Sequence, residues 1–179
     1  MPKRVLCLLS PGFEEIETVT PIDLLRRAGA EVVVLSITDE QAVKGRSDIT
    51  LLADGVLSDE DASKFDALFL PGGPGVAKLR EDGRAARLAR EFQAAGKLVT
   101  AICAAPTVLQ DAGLLEGRRF TAHFSVRSEL PAANDERVVV DGKIITSRGA
   151  GTALDFGLAL VRALYGEDKA GEIAFAVMA

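Results

Sequence analysis

The sequence predicts an α/β fold with a mostly parallel sheet, because three patterns agree. Five short runs rich in Val, Ile and Leu have the length of buried strands. Segments with apolar residues at helical spacing separate these runs. Asp141 and Gly142 lie between two apolar runs and mark a hairpin, so part of the sheet is expected to be antiparallel. The 179 residues fit one domain, which we predict over residues 1–179.

The predicted strands and helices alternate in chain order. The strands are Arg4 to Leu9, Glu31 to Ser36, Asp66 to Leu70, Lys97 to Ile102 and Lys143 to Ser147, with a further short strand from Arg119 to Ala122. The helices are Glu14 to Ala28, Gly83 to Ala95, Ala104 to Ala112, Gly151 to Leu164 and Lys169 to Met178. Gly29 and Gly96 follow the first two helices, as expected of residues that end a helix.

The composition narrows the classes of function. Hydrophobic residues at 48% and charged residues at 26% are typical of a globular chain. The net charge of −5 argues against a nucleic acid or an anionic membrane as partner, since both are bound by basic patches. No apolar run has the length of a membrane span, and no signal peptide is visible. We therefore expect a cytoplasmic protein that acts on small molecules.

Cys103 is the strongest candidate for a reactive residue. Ligands of open α/β sheets bind beyond the carboxyl ends of the parallel strands. Cys103 directly follows a predicted strand and opens a helix, which is the arrangement of a nucleophile elbow. The helix start is expected to lower the pKa of its thiol. Cys7 lies inside the first strand between leucines and is expected to be an inert core residue.

Glycines follow two other strands. Gly72 and Gly73 have no side chains, so their N–H groups are accessible at a strand end and can bind an oxyanion. A tight turn explains paired glycines equally well. Gly149 and Gly151 begin a dinucleotide-binding pattern, but Leu154 stands where the third glycine belongs. The sequence therefore predicts no nucleotide site and no cofactor.

Acidic residues and one histidine complete the set of candidates. For Glu14 and Glu15 the preferred interpretation is charge at a helix start. Glu17 has a different environment if it turns inward, because a desolvated carboxyl tends to stay protonated and can donate a hydrogen bond to a thiolate. His123 is the only histidine, so any imidazole chemistry must use it, although a surface role is as plausible. So few Cys and His residues argue against a metal site.

Four ordered motifs together resemble the ThiJ/PfpI superfamily, and within it the parkinsonism-associated deglycase (DJ-one) branch and its bacterial ThiJ-like relatives. The motifs are Gly12-Phe13-Glu14-Glu15-Ile16-Glu17-Thr18-Val19, Leu70-Pro71-Gly72-Gly73, Ala101-Ile102-Cys103-Ala104-Ala105-Pro106 and Thr146-Ser147-Arg148-Gly149-Ala150-Gly151-Thr152. The resemblance implies one domain like that of class I glutamine amidotransferases, a flavodoxin-like three-layer sandwich and a homodimer.

The resemblance also implies roles for individual residues. Cys103 is the expected nucleophile and redox-sensitive thiol, Glu17 its protonated hydrogen-bond partner, and His123 the nearby imidazole. Gly73 and Ala104 are expected to supply the N–H pair that faces the site, next to Gly72. First-helix dimer contacts are implied for the three residues Glu14, Arg26 and Arg27.

The resemblance implies a glyoxalase or deglycase that needs no cofactor and acts on methylglyoxal, glyoxal or their glycation adducts. The alternative is a redox-sensing stress protein or chaperone in which Cys103 is oxidised to a sulfinate. Peptidase members of the superfamily have a His directly after the nucleophile, and here that residue is Ala104. An amidotransferase normally needs a late His, and none follows His123. Both of these activities are therefore less favoured.

Overall fold

The structure, a computed structural model, describes residues 2–58 and 62–179. Its centre is a seven-stranded sheet in the order β5-β2-β1-β6-β7-β9-β8. Those strands are β1 Arg4–Leu9, β2 Glu31–Ser36, β5 Gly55–Val56, β6 Ala67–Leu70, β7 Leu98–Ile102, β8 Val138–Asp141 and β9 Ile144–Ser147. A separate two-stranded antiparallel sheet is formed by β3 Ala42–Lys44 and β4 Thr50–Leu52.

Helices cover both faces of the sheet. They are α1 Glu15–Arg27, α2 Val76–Asp82, α3 Arg84–Ala94, α4 Pro106–Asp111, α5 Ala153–Tyr165 and α6 Glu167–Ala176. Short 3-10 helices span Ala62–Lys64, Phe124–Val126 and Ala150–Thr152.

Alternation of side chains along the strands creates two apolar cores. In β1, Val5, Cys7 and Leu9 belong to the core that includes residues of α1, α5 and α6. Leu6 and Leu8 belong to the core that includes residues of α2, α3 and α4. Because successive side chains of a strand point to opposite faces, one strand supplies both cores. The result is the three-layer arrangement of helices, sheet and helices.

The predicted fold class is confirmed. All neighbouring strands of the large sheet pair in parallel except β8 and β9, which are antiparallel. That pair is the predicted hairpin, in which Asp141 pairs with Ile144. Gly142 has a φ of 60° in the tight turn, a conformation that glycine adopts at little cost.

The predicted strand from Arg119 to Ala122 is wrong. Within this segment only Thr121 makes a bridge, to Asn134, while its N–H donates to Thr146 Oγ1 at 3.0 Å. The physical reason lies in the sheet order, since β7 and β8 already occupy both edges of β9. The segment therefore runs beside the sheet and satisfies its polar groups individually.

Four helices and strands have no counterpart in the sequence prediction. They are the helix α2 and the three short strands β3, β4 and β5. Each of these strands has only two or three residues, too few for alternation to identify. Among the described residues no helix is long and apolar enough to cross a membrane.

Candidate active site

Loops that follow four strands converge at one edge of the sheet. The Glu14 N–H donates to the Gly72 carbonyl at 3.0 Å, which joins the loops after β1 and β6. The Cys103 N–H donates to the Ser147 carbonyl at 2.9 Å, and the His123 N–H donates to the Cys103 carbonyl at 2.8 Å. The parallel strands thus bring together residues that lie far apart in the sequence, as expected for an open α/β sheet.

Cys103 occupies a sharp strand-to-helix turn. Its φ is 67°, in the left-handed region that residues other than glycine rarely adopt. Two residues after Cys103, the Ala105 N–H donates to the Ile102 carbonyl at 3.1 Å, and α4 begins at Pro106. Only 7% of Cys103 is exposed. The predicted sharp turn between strand and helix is therefore present at Cys103, and its backbone conformation sets the direction of the thiol.

Glu17 lies beside Cys103 in the first turn of α1. Glu14 caps this helix by accepting the Glu17 N–H at 2.7 Å, so the first turn is fixed. A Cβ built on Gly72 would come within 2.2 Å of Glu17 Oε2 and 2.4 Å of the Cys103 Cβ. The two side chains thus meet around Gly72, in space that only a glycine leaves open.

Burial governs the charge of Glu17. The side chain is 2% exposed, and desolvation raises its pKa from 4.5 to about 7. Hydrogen bonds from the Cys103 side chain and the Ala150 N–H counteract this rise, whereas the charge of Glu14 adds to it. At neutral pH a large fraction of Glu17 is therefore protonated, as the sequence analysis expected.

The thiol differs from the expectation based on its helix start. Burial, followed by the charge of Glu17, raises the Cys103 pKa from 9.0 to about 12. The N–H groups of Gly73 and Ala104 lower it, as predicted, but burial outweighs them. A short helix offers only a few such donors, and the burial of Cys103 removes most of the water that would otherwise solvate a thiolate.

The charges of Glu17 and Cys103 are therefore coupled. Each negative charge makes the other less favourable, so the pair loses the first of its two protons only near pH 7 and holds the remaining one above that pH. When that proton lies on Glu17, the carboxyl can donate to the sulfur, and the repulsion by the Glu17 charge is removed. A protonated Glu17 therefore favours the thiolate form of Cys103 more than an ionised Glu17 does.

The three backbone candidates have two different roles. The N–H groups of Gly73 and Ala104 interact with the Cys103 sulfur. The Gly72 carbonyl accepts the Glu14 N–H, and the absence of a side chain at Gly72 leaves space for Glu17 and Cys103. The first two residues therefore place donors where negative charge would form, and the third leaves room for the acid next to the thiol.

His123 contacts the same site from the following loop. Its Nδ1 accepts the Ser125 N–H at 3.2 Å and lies 2.8 Å from the Ser125 hydroxyl. Burial lowers the pKa of His123 below 6.5, and the positive charge of Arg46 lowers it further. The imidazole is therefore neutral near pH 7 and is positioned by Ser125.

A cavity of about 370 Å³ connects these groups. Its volume fits a small molecule rather than a polypeptide. Its lining comprises Glu14, Glu17, Arg46, Gly73, Pro74, Cys103, Ala104, His123, Ser125 and Ala150. The structure thus brings together the predicted residues Cys103, Glu17 and His123.

Arg46 is a member of this cavity that the sequence did not reveal. Its own N–H donates to the Phe13 carbonyl at 2.8 Å, and the next N–H, of Ser47, donates to Glu15 Oε1 at 2.7 Å. Glu15 is an acid in the first turn of α1, as expected, but it is only 7% exposed and has a further role. Its buried carboxyl fixes the loop that carries Arg46. No sequence motif marks this pairing, because it joins positions 32 residues apart.

Cys7 has the core position that its sequence context predicts. It is fully buried in β1, and burial raises the pKa of its thiol strongly. Both cysteines are free thiols. Among the described residues, no group of three or more His, Cys, Asp or Glu side chains is placed to hold a metal ion.

The chain is similar to known proteins over almost its whole length. The signature of the DJ-1/PfpI family matches residues 3–163. The Drosophila melanogaster protein dj-1beta is 40% identical over 179 residues, with 97% of this chain and 96% of that protein covered. The crystal structure of Drosophila melanogaster DJ-1beta matches with a TM-score of 0.94 at 39% identity and covers 99% of this chain and 98% of that one.

A third relative has a name that states an activity. The glutathione-independent glyoxalase DJR-1.2 of Caenorhabditis elegans is 35% identical over 176 residues. The match covers 96% of this chain and 94% of that protein.

Proposed function

Because this chain belongs to the DJ-1/PfpI family, we propose that it is a cofactor-independent glyoxalase or deglycase of the DJ-1 type. Its substrates are small dicarbonyls such as methylglyoxal and glyoxal, or their glycation adducts. The observation that carries the proposal is the buried pair of Cys103 and Glu17, which shares a cavity with backbone N–H donors. The glyoxalase name of the Caenorhabditis elegans relative supports the same reaction class.

The first step is addition of the thiol to the aldehyde. The Cys103 sulfur forms a bond to the aldehyde carbon, and the electron pair of the carbonyl moves to its oxygen. That oxygen takes the proton held by Glu17 and becomes the hydroxyl of a hemithioacetal. The N–H groups of Gly73 and Ala104 stabilise the negative charge that develops during this step.

The second step moves a hydrogen between adjacent carbons. The ionised Glu17 removes the proton from the former aldehyde carbon and returns it to the neighbouring carbon through an enediol. His123 assists as a neutral hydrogen-bonding group. The product is a thioester of a 2-hydroxy acid, and attack by water releases the acid and restores the thiol. The sum of the steps is dicarbonyl plus water to hydroxy acid, without an external oxidant.

The experiment measures lactate formed from methylglyoxal in the absence of glutathione. We expect the wild type to form lactate, and both Cys103→Ala and Glu17→Gln to lose at least about hundredfold in kcat/KM, since each removes a reacting group. The first step needs a pair with one proton, on Glu17, and a thiolate on Cys103. Because the pair loses the first of its two protons near pH 7, we also expect the wild-type rate to rise as the pH increases through 7.

Two matched variants serve as controls. Cys7→Ala removes the thiol that lies outside the cavity, and Glu116→Gln neutralises an exposed carboxyl. Both should keep their turnover, with circular dichroism showing that all variants are folded. Full turnover by Cys103→Ala would overturn the mechanism. Removal of free dicarbonyl can mimic the repair of glycated amines. Repair is therefore a separate activity only if the glycated amine disappears faster than removal of free dicarbonyl explains.

A second candidate function is redox sensing by Cys103. Its sulfur has access to the cavity and lies near two N–H donors and Glu17, which can bind the oxygens of a sulfinate. Peroxide supplies both oxygens in two steps, each of which reduces one peroxide molecule to water. Mass spectrometry after mild peroxide treatment should find the sulfinate on Cys103 and not on the fully buried Cys7. Equal oxidation of both thiols, or of neither, contradicts this function.

We also propose a homodimer that uses α1, as the family resemblance implies. Ile16 and Val19 lie one turn apart on this helix and are 53% and 45% exposed. The positions expected from the resemblance have partners within the chain, since Arg27 pairs with Asp23 at 2.7 Å and Arg26 lies 3.7 Å from Asp54. The apolar pair is therefore the part of α1 that a second copy would cover.

A further inference from the structure

A second cavity of about 320 Å³ lies next to the one that contains Cys103. It is lined by Arg137, Arg148, His123 and the backbone segment 149–152, and no carboxylate is part of this lining. His123 and Ala150 line both cavities, so the two spaces are neighbours. The cavity lining thus contains two guanidinium groups and no carboxylate, although acidic residues outnumber basic ones in this chain.

The two arginines face each other at the end of a strand pair. Val138 pairs with Ser147 in the antiparallel register, and the next residues outward are Arg137 and Arg148. The Arg148 N–H donates to the Arg137 carbonyl at 3.4 Å, which extends that register by one position. Like charges directly across a strand pair destabilise the protein unless they are compensated.

Only one of the two charges is compensated by an acidic side chain. Arg137 forms an ion pair with Asp155 at 2.6 Å. Arg148 donates through Nη1 to the backbone carbonyl of Asp135 at 2.9 Å, while the carboxylate of Asp135 pairs with Arg127 at 2.5 Å. Among the described residues, Arg148 therefore has no acidic partner, although its guanidinium group lines the cavity.

We propose that this second cavity is an anion subsite, in which Arg148 binds a carboxylate or phosphate at the far end of the dicarbonyl substrate. The inference rests on the proposed function and specifies its substrate class. The aldehyde carbon bonds to Cys103, and the remainder of the molecule passes His123 and Ala150 to reach the guanidinium group. The five donors of an arginine suit such an oxyanion, which can be bound by two parallel hydrogen bonds.

Two glycines of the segment after β9 differ in the space around them. A Cβ built on Gly149 would lie 3.3 Å from His123 Cδ2 and 3.5 Å from Glu17 Oε1. A Cβ built on Gly151 would meet no atom within 4 Å. The segment therefore lies next to the acid and the imidazole at Gly149, and it is open at Gly151, whose carbonyl accepts from Arg137 Nη2 at 2.9 Å.

The test compares two arylglyoxals of similar shape. One carries a carboxylate and the other a methyl group at the para position of the ring. We expect the wild type to prefer the carboxylate compound in kcat/KM by about tenfold or more, and Arg148→Gln to lose this preference. Arg90→Gln is the matched control, because Arg90 is an exposed residue of α3 and the variant has the same net charge. It should retain the preference of the wild type.

A labelling experiment measures the subsite without catalysis. The rates at which N-(4-carboxyphenyl)maleimide and N-(4-methylphenyl)maleimide modify Cys103 are compared in the same three proteins. The carboxylate reagent should react faster by several-fold with the wild type and with Arg90→Gln, and this advantage should disappear in Arg148→Gln. This readout remains valid if no aldehyde is consumed, a result that would refute the proposed function alone. Equal rates for both reagents in the wild type, or an advantage that survives in Arg148→Gln, would overturn the anion subsite.

Discussion

At the scale of single residues, the missing side chain of Gly72 decides whether Glu17 and Cys103 can lie together. In Gly72→Ala the new methyl group would meet Glu17 Oε2 at 2.2 Å and the Cys103 Cβ at 2.4 Å. We expect the free energy of unfolding to fall by about 1–3 kcal/mol, because the surrounding atoms leave no room for the methyl group. Methylglyoxal turnover should fall about hundredfold, because the reacting groups are displaced. Urea unfolding and lactate assays measure the two effects.

The matched control is Gly171→Ala. Gly171 lies in α6, where an added Cβ meets no atom within 4 Å. Alanine favours a helix over glycine by about 1 kcal/mol, so this variant should be slightly more stable and equally active. If Gly72→Ala behaved like Gly171→Ala, the close approach of acid and thiol would be refuted.

The raised pKa of Glu17 also makes a prediction about stability. Folding raises this pKa from 4.5 to about 7, so the folded protein holds the proton more tightly than the unfolded chain. The resulting stabilisation is complete below pH 4.5 and is lost as the pH rises to about 7, by about 3 kcal/mol in total. The difference in unfolding free energy between the wild type and Glu17→Gln should therefore change over this interval. Parallel pH profiles of the two proteins would contradict the raised pKa.

The residues of the site differ in how far the sequence predicts them. Cys103 and the glycines are predictable because each directly follows a strand, and strand ends meet at one edge. The sequence left the direction of Glu17 open, and only the resemblance to the family motif implied that it lies beside the thiol. Arg46 was not predicted, because its loop is held by long-range hydrogen bonds, from its own N–H to Phe13 and from the Ser47 N–H to Glu15, which leave no local pattern.

At the scale of elements, one buried acid, Glu15, joins the turn between β3 and β4 to the start of α1. In Glu15→Ala the Ser47 N–H loses its acceptor at 2.7 Å. We expect the Ser47 amide to exchange with solvent at least about tenfold faster, since a hydrogen bond to a charged group contributes about 1.5–3 kcal/mol. Hydrogen exchange followed by NMR measures this change. Glu116→Ala, which removes an exposed acid, should leave the exchange of Ser47 unaltered.

Length decides which elements the sequence predicts. The buried strands β1, β2, β6, β7 and β9 are found within a residue or two of their predicted bounds, because their apolar runs are long enough to show a pattern. The strand expected near Thr121 fails for a different reason. Its residues suit a strand, but the sheet offers no free edge beside β9. Local sequence carries no information on that competition.

At the scale of the whole molecule, the proposed homodimer has a direct test. Val19→Glu places a charge on the exposed face of α1 without a change in the core. We expect the wild type to sediment as a dimer and Val19→Glu to weaken the association about hundredfold or more, because the charge would be buried without a partner. Val140→Glu, at an exposed position of β8, should remain dimeric. A wild type that is monomeric at all concentrations would refute the dimer.

The backbone of Cys103 has a consequence for the evolution of this protein. A φ of 67° destabilises the folded protein by roughly 1 kcal/mol when the residue has a side chain. Glycine at this position would therefore give a more stable protein than alanine. Selection for stability alone would therefore favour replacement of Cys103 by glycine. In a population of evolving variants selected only for folding, position 103 should move toward glycine. Where exposure to dicarbonyls or peroxide is also imposed, the thiol should persist in spite of its strain.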